Sequence, residues 1–313
     1  MPKKPWSAND EYALIEFFNQ GAALGHIAKA MGRTLASVSE KTRQLRSIGW
    51  IRYHEPAKEK IEVQKLHDAY LSDQVHEDFL KVTGDAITAS DWHVPFQSKP
   101  LIAYLIKIAE KFKIKKLIIN GDFFNMDSFS SWVNKIRGHD WTQFELRQAA
   151  QMFTLLLDTF ETIYITKGNH EDRFIKVVEG QLGMKDIVRM VSDAKAEKRL
   201  IGSDYDYCLL NNSYLVIHPK TYGGQGGKVP AEVAAIKHKH VISGHNHLWG
   251  IQFSKDGKYM GIDQGMAGDP KKIDYHQTSV STAPAWQNGF TMIKDNYPYL
   301  FNLKMTDWSW WLK

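Results

Sequence analysis

The sequence predicts an α/β domain preceded by a small all-α three-helix module. From residue 86 onward, short apolar runs alternate with amphipathic helical stretches, the pattern of a sheet with helical connections. Before residue 54, apolar residues instead recur at helical spacing, with capping residues and glycines between them. The charge divides at the same place. Residues 1–54 hold Lys3, Lys4, Lys29, Arg33, Lys41, Arg43, Arg46 and Arg52 against Asp10, Glu11, Glu16 and Glu40, a net +4. The whole chain of 313 residues carries +5, which leaves +1 for the remainder. A basic segment on a near-neutral body points to a polyanion-binding module beside a catalytic or structural domain.

The first helix is expected after Ser7, which can cap it, with Asp10 and Glu11 in its first turn. Trp6, Leu14 and Phe18 supply its apolar face, and Gly21 ends it. A second helix over His26-Ile27-Ala28-Lys29-Ala30-Met31 stops at Gly32. Thr34 can cap a third, on which Leu35, Val38, Leu45 and Ile48 form the expected buried stripe. This is a helix-turn-helix layout, whose last helix can enter a major groove. Trp6-Ser7, Asp10-Glu11, Ile27-Ala28 and Gly32-Arg33-Thr34 make the segment resemble the Myb/SANT type of module. The resemblance implies a DNA partner, with Arg33, Lys41, Arg43, Gln44 and Arg46 as the contacting side chains. A helical domain for protein contacts with a solvated basic face is the alternative.

Residues 55–80 are charged and helix-compatible, and read as a helical linker. Strands are then expected at Ala86–Ser90, Lys116–Asn120 and Ile163–Ile165, with helices over Leu101–Phe112 and near 143–160. Beyond residue 205 the chain turns richer in strands, at Leu209-Leu210, Tyr214–Ile217 and His240–Ile242, with a hairpin around Asp256-Gly257. No apolar run reaches the roughly 18 residues that span a bilayer, so no membrane association is expected. The basic start Met-Pro-Lys-Lys-Pro-Trp lacks a following apolar stretch, so no secretory signal is expected. Cys208 is the single cysteine and cannot form an internal disulfide, so a cytoplasmic location is expected and Cys208 is read as a packed hydrophobe.

The polar residues that carry chemistry sit just past the expected strand ends. They are Asp91-Trp92-His93, Gly121-Asp122, Gly168-Asn169-His170-Glu171-Asp172, His218-Pro219 and Gly244-His245-Asn246-His247. In an open α/β sheet, ligands bind beyond the carboxyl ends of the strands, so five such clusters can share one crevice. Singly each has a bland reading as a turn or loop pair. Carboxylate, imidazole and amide without thiolate select a divalent cation such as manganese, iron, zinc or nickel.

Taken in order, the five clusters resemble the calcineurin-like metallophosphoesterase superfamily over residues 83–270. The resemblance implies an αββα sandwich of two mixed sheets over a domain spanning 81–313. It also implies two divalent metal ions, manganese first among them. One ion would take Asp91, His93, Asp122 and His247, and the other Asp122, Asn169, His218 and His245. Asp122 would bridge them at about 3.5–4 Å. A bridging hydroxide would attack phosphorus in line, and His170 would serve the leaving oxygen.

Two departures from the family pattern stand out. Asn125 occupies the place of an aspartate that orients the catalytic histidine, with Asp127 or Glu171 as substitutes, and the arginine that follows that aspartate in protein Ser/Thr phosphatases is missing. Pro219 follows His218 where glycine is common. Arg173 is read as a phosphate clamp or a surface ion-pair partner. The run Gly223-Gly224-Gln225-Gly226-Gly227-Lys228 fails the Walker pattern and is read as a loop near His218. His26, His54, His67, His76 and His276 are read as surface or packing residues. His139, Trp132 and Trp141 lie in a segment read as a substrate wall or an aromatic packing unit. The tail Asp307–Trp311 is expected to pack on the body.

The leading functional expectation is a phosphoesterase acting on nucleic acid or nucleotide-like esters. A protein or small-molecule phosphatase, and a DNA-binding regulator on an inactive scaffold, are the alternatives.

Overall fold

Ser7 opens the first helix as expected. Its hydroxyl accepts from the Asp10 amide at 3.2 Å while the Asp10 carboxylate accepts from the Ser7 amide at 3.1 Å. Three helices follow, α1 (Ala8–Asn19), α2 (Leu24–Ala30) and α3 (Leu35–Ser47), and Thr34 caps the last by accepting from the Ser37 amide. They close over Leu14, Ile27, Ala28, Val38, Leu45 and Ile51. The expected stripe on α3 needs correction. Leu35 and Ile48 are 55% and 61% exposed, and the buried face is Val38, Thr42 and Leu45. So small a core covers only the middle of the helix, and the residues at its two ends overhang.

The computed structural model describes residues 5–51, 78–130, 140–273 and 285–313. The chain divides into two compact units, Met1–His76 and Glu77–Lys313. The expected linker falls mostly outside the described residues, as do His54, His67, His76, Trp132, His139 and His276, whereas His26 is exposed. No helix among the described residues is long and apolar enough to cross a membrane.

The second unit holds two six-stranded mixed sheets. The first sheet contains β2 (Ala86–Ala89), β3 (Lys116–Asn120), β4 (Thr162–Thr166) and β5 (Leu200–Ser203), all parallel. Antiparallel β11 (Gly289–Lys294) and β12 (Tyr297–Asn302) extend it beyond β2. The second sheet runs in the order β1 (Lys81–Val82), β6 (Tyr207–Leu210), β7 (Tyr214–Ile217), β8 (His240–Ser243), β10 (Met260–Gln264), β9 (Trp249–Phe253). The expected hairpin at Asp256-Gly257 joins its last two strands.

The sheets pack face to face through Ile118 and Ile293 of one and Val216, Ile242 and Ile262 of the other. Cys208 lies in this layer, fully buried, and burial pushes its thiol up to about 12, so it behaves as a small hydrophobe. On the outer face of the first sheet, α4 (Lys99–Phe112) and α5 (Trp141–Leu157) pack through Leu101, Leu105, Ile108, Phe153 and Leu156. On the outer face of the second, α9 (Lys228–Lys237) packs through Ala234 on Ile217 and Val241. Three shorter helices, α6 (Asn169–Val177), α7 (Met184–Met190) and α8 (Ala194–Glu197), lie between β4 and β5. The fold is therefore an αββα sandwich.

The hairpin β11–β12 has no counterpart among the sequence expectations. Its turn residues Asp295 and Asn296 both have positive φ, as a two-residue hairpin requires, and side-chain types tolerant of it. The tail helix α10 (Trp308–Trp311) packs on the body, with Trp308 stacked on Tyr104 at 4.1 Å between ring centres.

Ile118 has no exposed surface in the layer between the sheets. Ile118→Ala is expected to cost about 2–5 kcal/mol in denaturant unfolding. A loss below about 1 kcal/mol, the range of a mild volume change, would contradict its place in this layer.

Candidate metal centre

Parallel pairing aligns the ends of β2, β3 and β4 on one edge, and β7 and β8 end at the matching edge of the other sheet. Asp91, Asp122, Asn169, His218 and His245 follow these ends within a few residues. Asp91, His93, Asp122, His245 and His247 all have positive φ, between 47° and 74°. Non-glycine residues rarely adopt this region, and the strain concentrates at sites whose surroundings enforce it. Here the effect is to turn each chain sharply at the sheet edge and aim the side chain inward. Gly121 has φ +71°, and a Cβ on it would lie 2.5 Å from the His218 ring. A Cβ on Gly168 would lie 2.2 Å from Asp122 Oδ1. Side chains at these two positions would displace the ligand-type residues themselves.

The structure gathers the candidate ligands into three buried groups: Asp91 with His93 and His247, Asp122 with His218 and His245, and His93 with Asp122 and His170. Within each group the donor atoms lie within 4.8 Å of one another. His247 Nε2 is 3.0 Å from Asp91 Oδ1 and 3.4 Å from His93 Nε2. His218 Nε2 is 3.2 Å from both Asp122 Oδ2 and Asn169 Oδ1, its ring fixed by a 2.9 Å contact between Nδ1 and the Asn120 carbonyl. Asp122 Oδ1 accepts from the His170 amide at 2.8 Å, at the start of α6. His245 Nε2 is buried without a hydrogen-bond partner among the described residues, a costly state for a polar atom that a cation would relieve.

Protonation states agree with cation binding. Burial alone would raise Asp91, but His247 and His218 hold its carboxyl well below the usual range. Asp122 is likewise held low, against its burial, by His218 and His170. Burial, with His170 beside it, holds His93 well below the usual histidine range. Burial and His218 bring His245 down to about 4. Only His218 goes the other way: burial opposes its charge, yet Asp122 raises it to about 10. Ionised carboxylates and neutral imidazoles are the states that ligate a divalent cation, and a cation would take over the positive charge His218 supplies. The residues present therefore fit a metal site.

Asn125 serves by its backbone. Its carbonyl receives His170 Nδ1 at 2.5 Å, while its side-chain amide turns to the Asp127 carboxylate. Arg173 reaches the same carbonyl and Asp127, each at 3.2 Å, and donates to His170 Nε2 at 2.9 Å. The His170 proton therefore sits on Nδ1. Burial, opposed by Asp122 and reinforced by Arg173, lowers His170 to about 4. Glu171 does not orient His170. It accepts from the amides of Asp122, Phe124 and Gly168 at 2.8–3.0 Å, bracing the turn that carries Asp122.

A cavity of about 670 Å³ opens over these groups, its lining including Asp122, Asn169, His170, Arg173, Tyr222 and Trp286. The glycine-rich run lines the cavity through Gly223 and Gly224. Tyr222, Trp286 and Glu145 have no place in the sequence expectations, and nothing in their local spacing distinguishes them. Residues proposed for DNA are another matter. Arg33 is spent inside the helical module: its side chain is 3% exposed, pairs with Asp10 at 2.9 Å and stacks 4.0 Å over Trp6. Lys41 pairs with Glu11 at 2.8 Å. Arg43 remains 78% exposed beside Glu40, which also receives Gln44, and Arg46 lies 4.8 Å over the Phe18 ring.

Glu145 of α5 accepts from the Met126 amide at 2.7 Å, beside the Asn125 carbonyl that holds His170, and burial pushes its carboxyl up to about 8. A raised acid favours folding below its unfolded value near 4.5 and loses that contribution as pH rises toward 8. Glu145→Gln removes this dependence. Its thermal stability relative to wild type is expected to improve by on the order of a few kcal/mol between about pH 5 and pH 8. A difference that stays flat with pH would show that Glu145 is not held protonated.

A protein-family model described as calcineurin-like phosphoesterase matches residues 87–258. No curated protein matches the chain. Among solved structures, vacuolar protein sorting 29 of Cryptosporidium parvum is similar at 12% identity over 72% of this chain and 97% of that one, with a TM-score of 0.35. Nuclease MPE of Pseudomonas putida is similar at 12% identity over 69% of this chain and 87% of that one, with a TM-score of 0.30. With the family model spanning more than half its length and every strand-end cluster, the chain belongs to the calcineurin-like phosphoesterases, a family that works with divalent metals.

Proposed function

We propose that this chain hydrolyses phosphate esters of the nucleic-acid or nucleotide type, using two divalent cations of which manganese is the first to test. The reading is carried by one observation: the two ligand groups share the neighbourhood of Asp122, which also groups with His93. Asp91, His93, Asp122 and His247 would hold one cation, and Asp122, Asn169, His218 and His245 the other. Such cations supply water activation near neutral pH and neutralise phosphoryl charge.

The remaining work falls to the chain. Asp122, braced by Glu171, keeps the two ligand groups in register. Arg173 lines the cavity with a guanidinium suited to two phosphoryl oxygens. As phosphate draws Arg173 off, His170 Nε2 becomes free to take up a proton from water and pass it to the leaving oxygen, with the ring still anchored through Nδ1 to the Asn125 carbonyl.

Asp122→Asn is expected to lower Mn²⁺-dependent hydrolysis of p-nitrophenyl mono- and diesters by at least about 100-fold, together with a loss of bound metal. Undiminished activity in that variant would overturn the site assignment. No hydrolysis by the metal-loaded wild type would overturn the activity.

The nucleic-acid part is supported by the net +4 of residues 1–54 and by exposed Arg43. Affinity for duplex DNA is expected to fall at least tenfold between about 50 and 200 mM salt, and to fall again in an Arg43→Glu, Arg46→Glu double variant. Binding insensitive to both would assign the module to another partner.

A further inference from the structure

Tyr222 and Trp286 stand against the two histidines of the His-x-His segment. The Tyr222 ring centre lies 4.3 Å from that of His245, tilted by 37°. The Trp286 ring centre lies 4.2 Å from that of His247, edge-on at 84°. Both line the cavity that holds Asp122 and Arg173. Yet Tyr222 is 72% exposed, so core packing does not account for it. An apolar ring left open to solvent beside a charged centre has a face to offer a ligand.

Hydrogen bonds tie down the backbone next to both rings. Beside Tyr222, the Gly223 amide donates to Asn246 Oδ1 at 3.0 Å, and the Gly227 amide donates to buried Asp263 at 2.8 Å. Asn246 thus links the two histidines to the glycine-rich loop from between them. Next to Trp286, the Gln287 amide donates to the His247 carbonyl at 2.9 Å, and the Gln287 carbonyl accepts from the Met266 amide at 2.9 Å. With the neighbouring backbone already held, only the side-chain torsions of each ring remain to be ordered by a ligand.

We infer that Tyr222 and Trp286 form an aromatic clamp for a nucleobase, so that the site selects nucleotidyl esters over esters lacking a base. The inference rests on the phosphoesterase reading for the position of the phosphate, beside Arg173 and Asp122. A cavity of about 670 Å³ is far larger than a phosphoryl group needs and lies in the usual range for a bound small molecule. Stacking on an aromatic ring is available to every base, so selection by this clamp is for the presence of a base and not for its identity.

Calorimetric binding of adenosine 5′-monophosphate and of ribose 5-phosphate to the full Mn²⁺-loaded chain tests it, because the second keeps the sugar and phosphate and carries a hydroxyl in place of the base. The nucleotide is expected to bind at least about tenfold tighter. That advantage is expected to shrink about tenfold in Tyr222→Leu and in Trp286→Leu, and to persist in Tyr222→Phe. Equal affinities in the wild type would overturn the clamp. So would variants that weaken both ligands alike, which would mean the rings only steady His245 and His247. Phosphotyrosine binding tighter than the nucleotide would replace the base with a protein side chain and also overturn it. Hydrolysis is read separately: base-selective binding without hydrolysis keeps the clamp and removes the phosphoesterase activity, and hydrolysis without base selectivity does the reverse.

Discussion

The Asp122 carboxylate is buried where two sheets end, and most of the site is arranged to keep it ionised there. An isolated carboxylate in such surroundings would take up a proton, since burial penalises the charge by several kcal/mol. Asp122 keeps its charge because His218 lies 3.2 Å from one oxygen and the His170 amide donates to the other at 2.8 Å. Its backbone is held as firmly as its side chain. Glu171 receives the Asp122 amide, and the missing Cβ of Gly168 leaves room for the carboxylate. The sharp left-handed turns at Asp91, His93, Asp122, His245 and His247 serve the same end, because an ordinary extended exit would carry these side chains past the crevice.

That arrangement separates the jobs of similar residues. Three imidazoles, His93, His170 and His245, are held neutral by burial, whereas His218 is charged by its neighbours. Three carboxylates next to one another likewise diverge. Asp122 faces the cavity, Glu171 faces backbone amides, and Glu145 braces the following turn with its carboxyl pushed up to about 8 by burial. Asn125 can stand where a charged residue is usual because the contact to His170 is made by its main-chain carbonyl, which any residue carries. Its side chain joins Asp127, and Asp127 in turn holds Arg173. In place of a charge at position 125 this network brings a guanidinium to the cavity wall, and Arg173 lowers His170 further where a carboxylate would raise it.

In the helical module the pairs Arg33–Asp10 and Lys41–Glu11 leave the net +4 unchanged, but they decide which side chains can present it outward. Trp6 owes its position to this pairing as much as to the apolar face of α1, since Arg33 stacks on its ring. Arg43, Gln44 and Arg46 remain outward, the Arg43 side chain 78% exposed.

The sequence alone determined the alternation of strands and helices, the strand ends that carry ligand-type residues and the order of the five clusters. These are local properties: apolar period, turn residues and the polar group that ends a run are all set by neighbours along the chain. Lys116–Asn120 lies where its apolar run lies, and Ser7 and Thr34 cap the helices they precede. The two-sheet sandwich was legible only through likeness to a family, because strand partners far apart in sequence leave no local mark. Tertiary structure alone decided that Leu35 and Ile48 face outward, that Arg33 is buried, and that Glu171 holds amides from residues 122 and 124. It also decided that Tyr222 and Trp286, 64 residues apart in the sequence, flank one cavity. A carboxylate, a guanidinium or an aromatic ring can meet many partners, and which one it meets depends on how the sheets stack, not on the residues beside it in the chain.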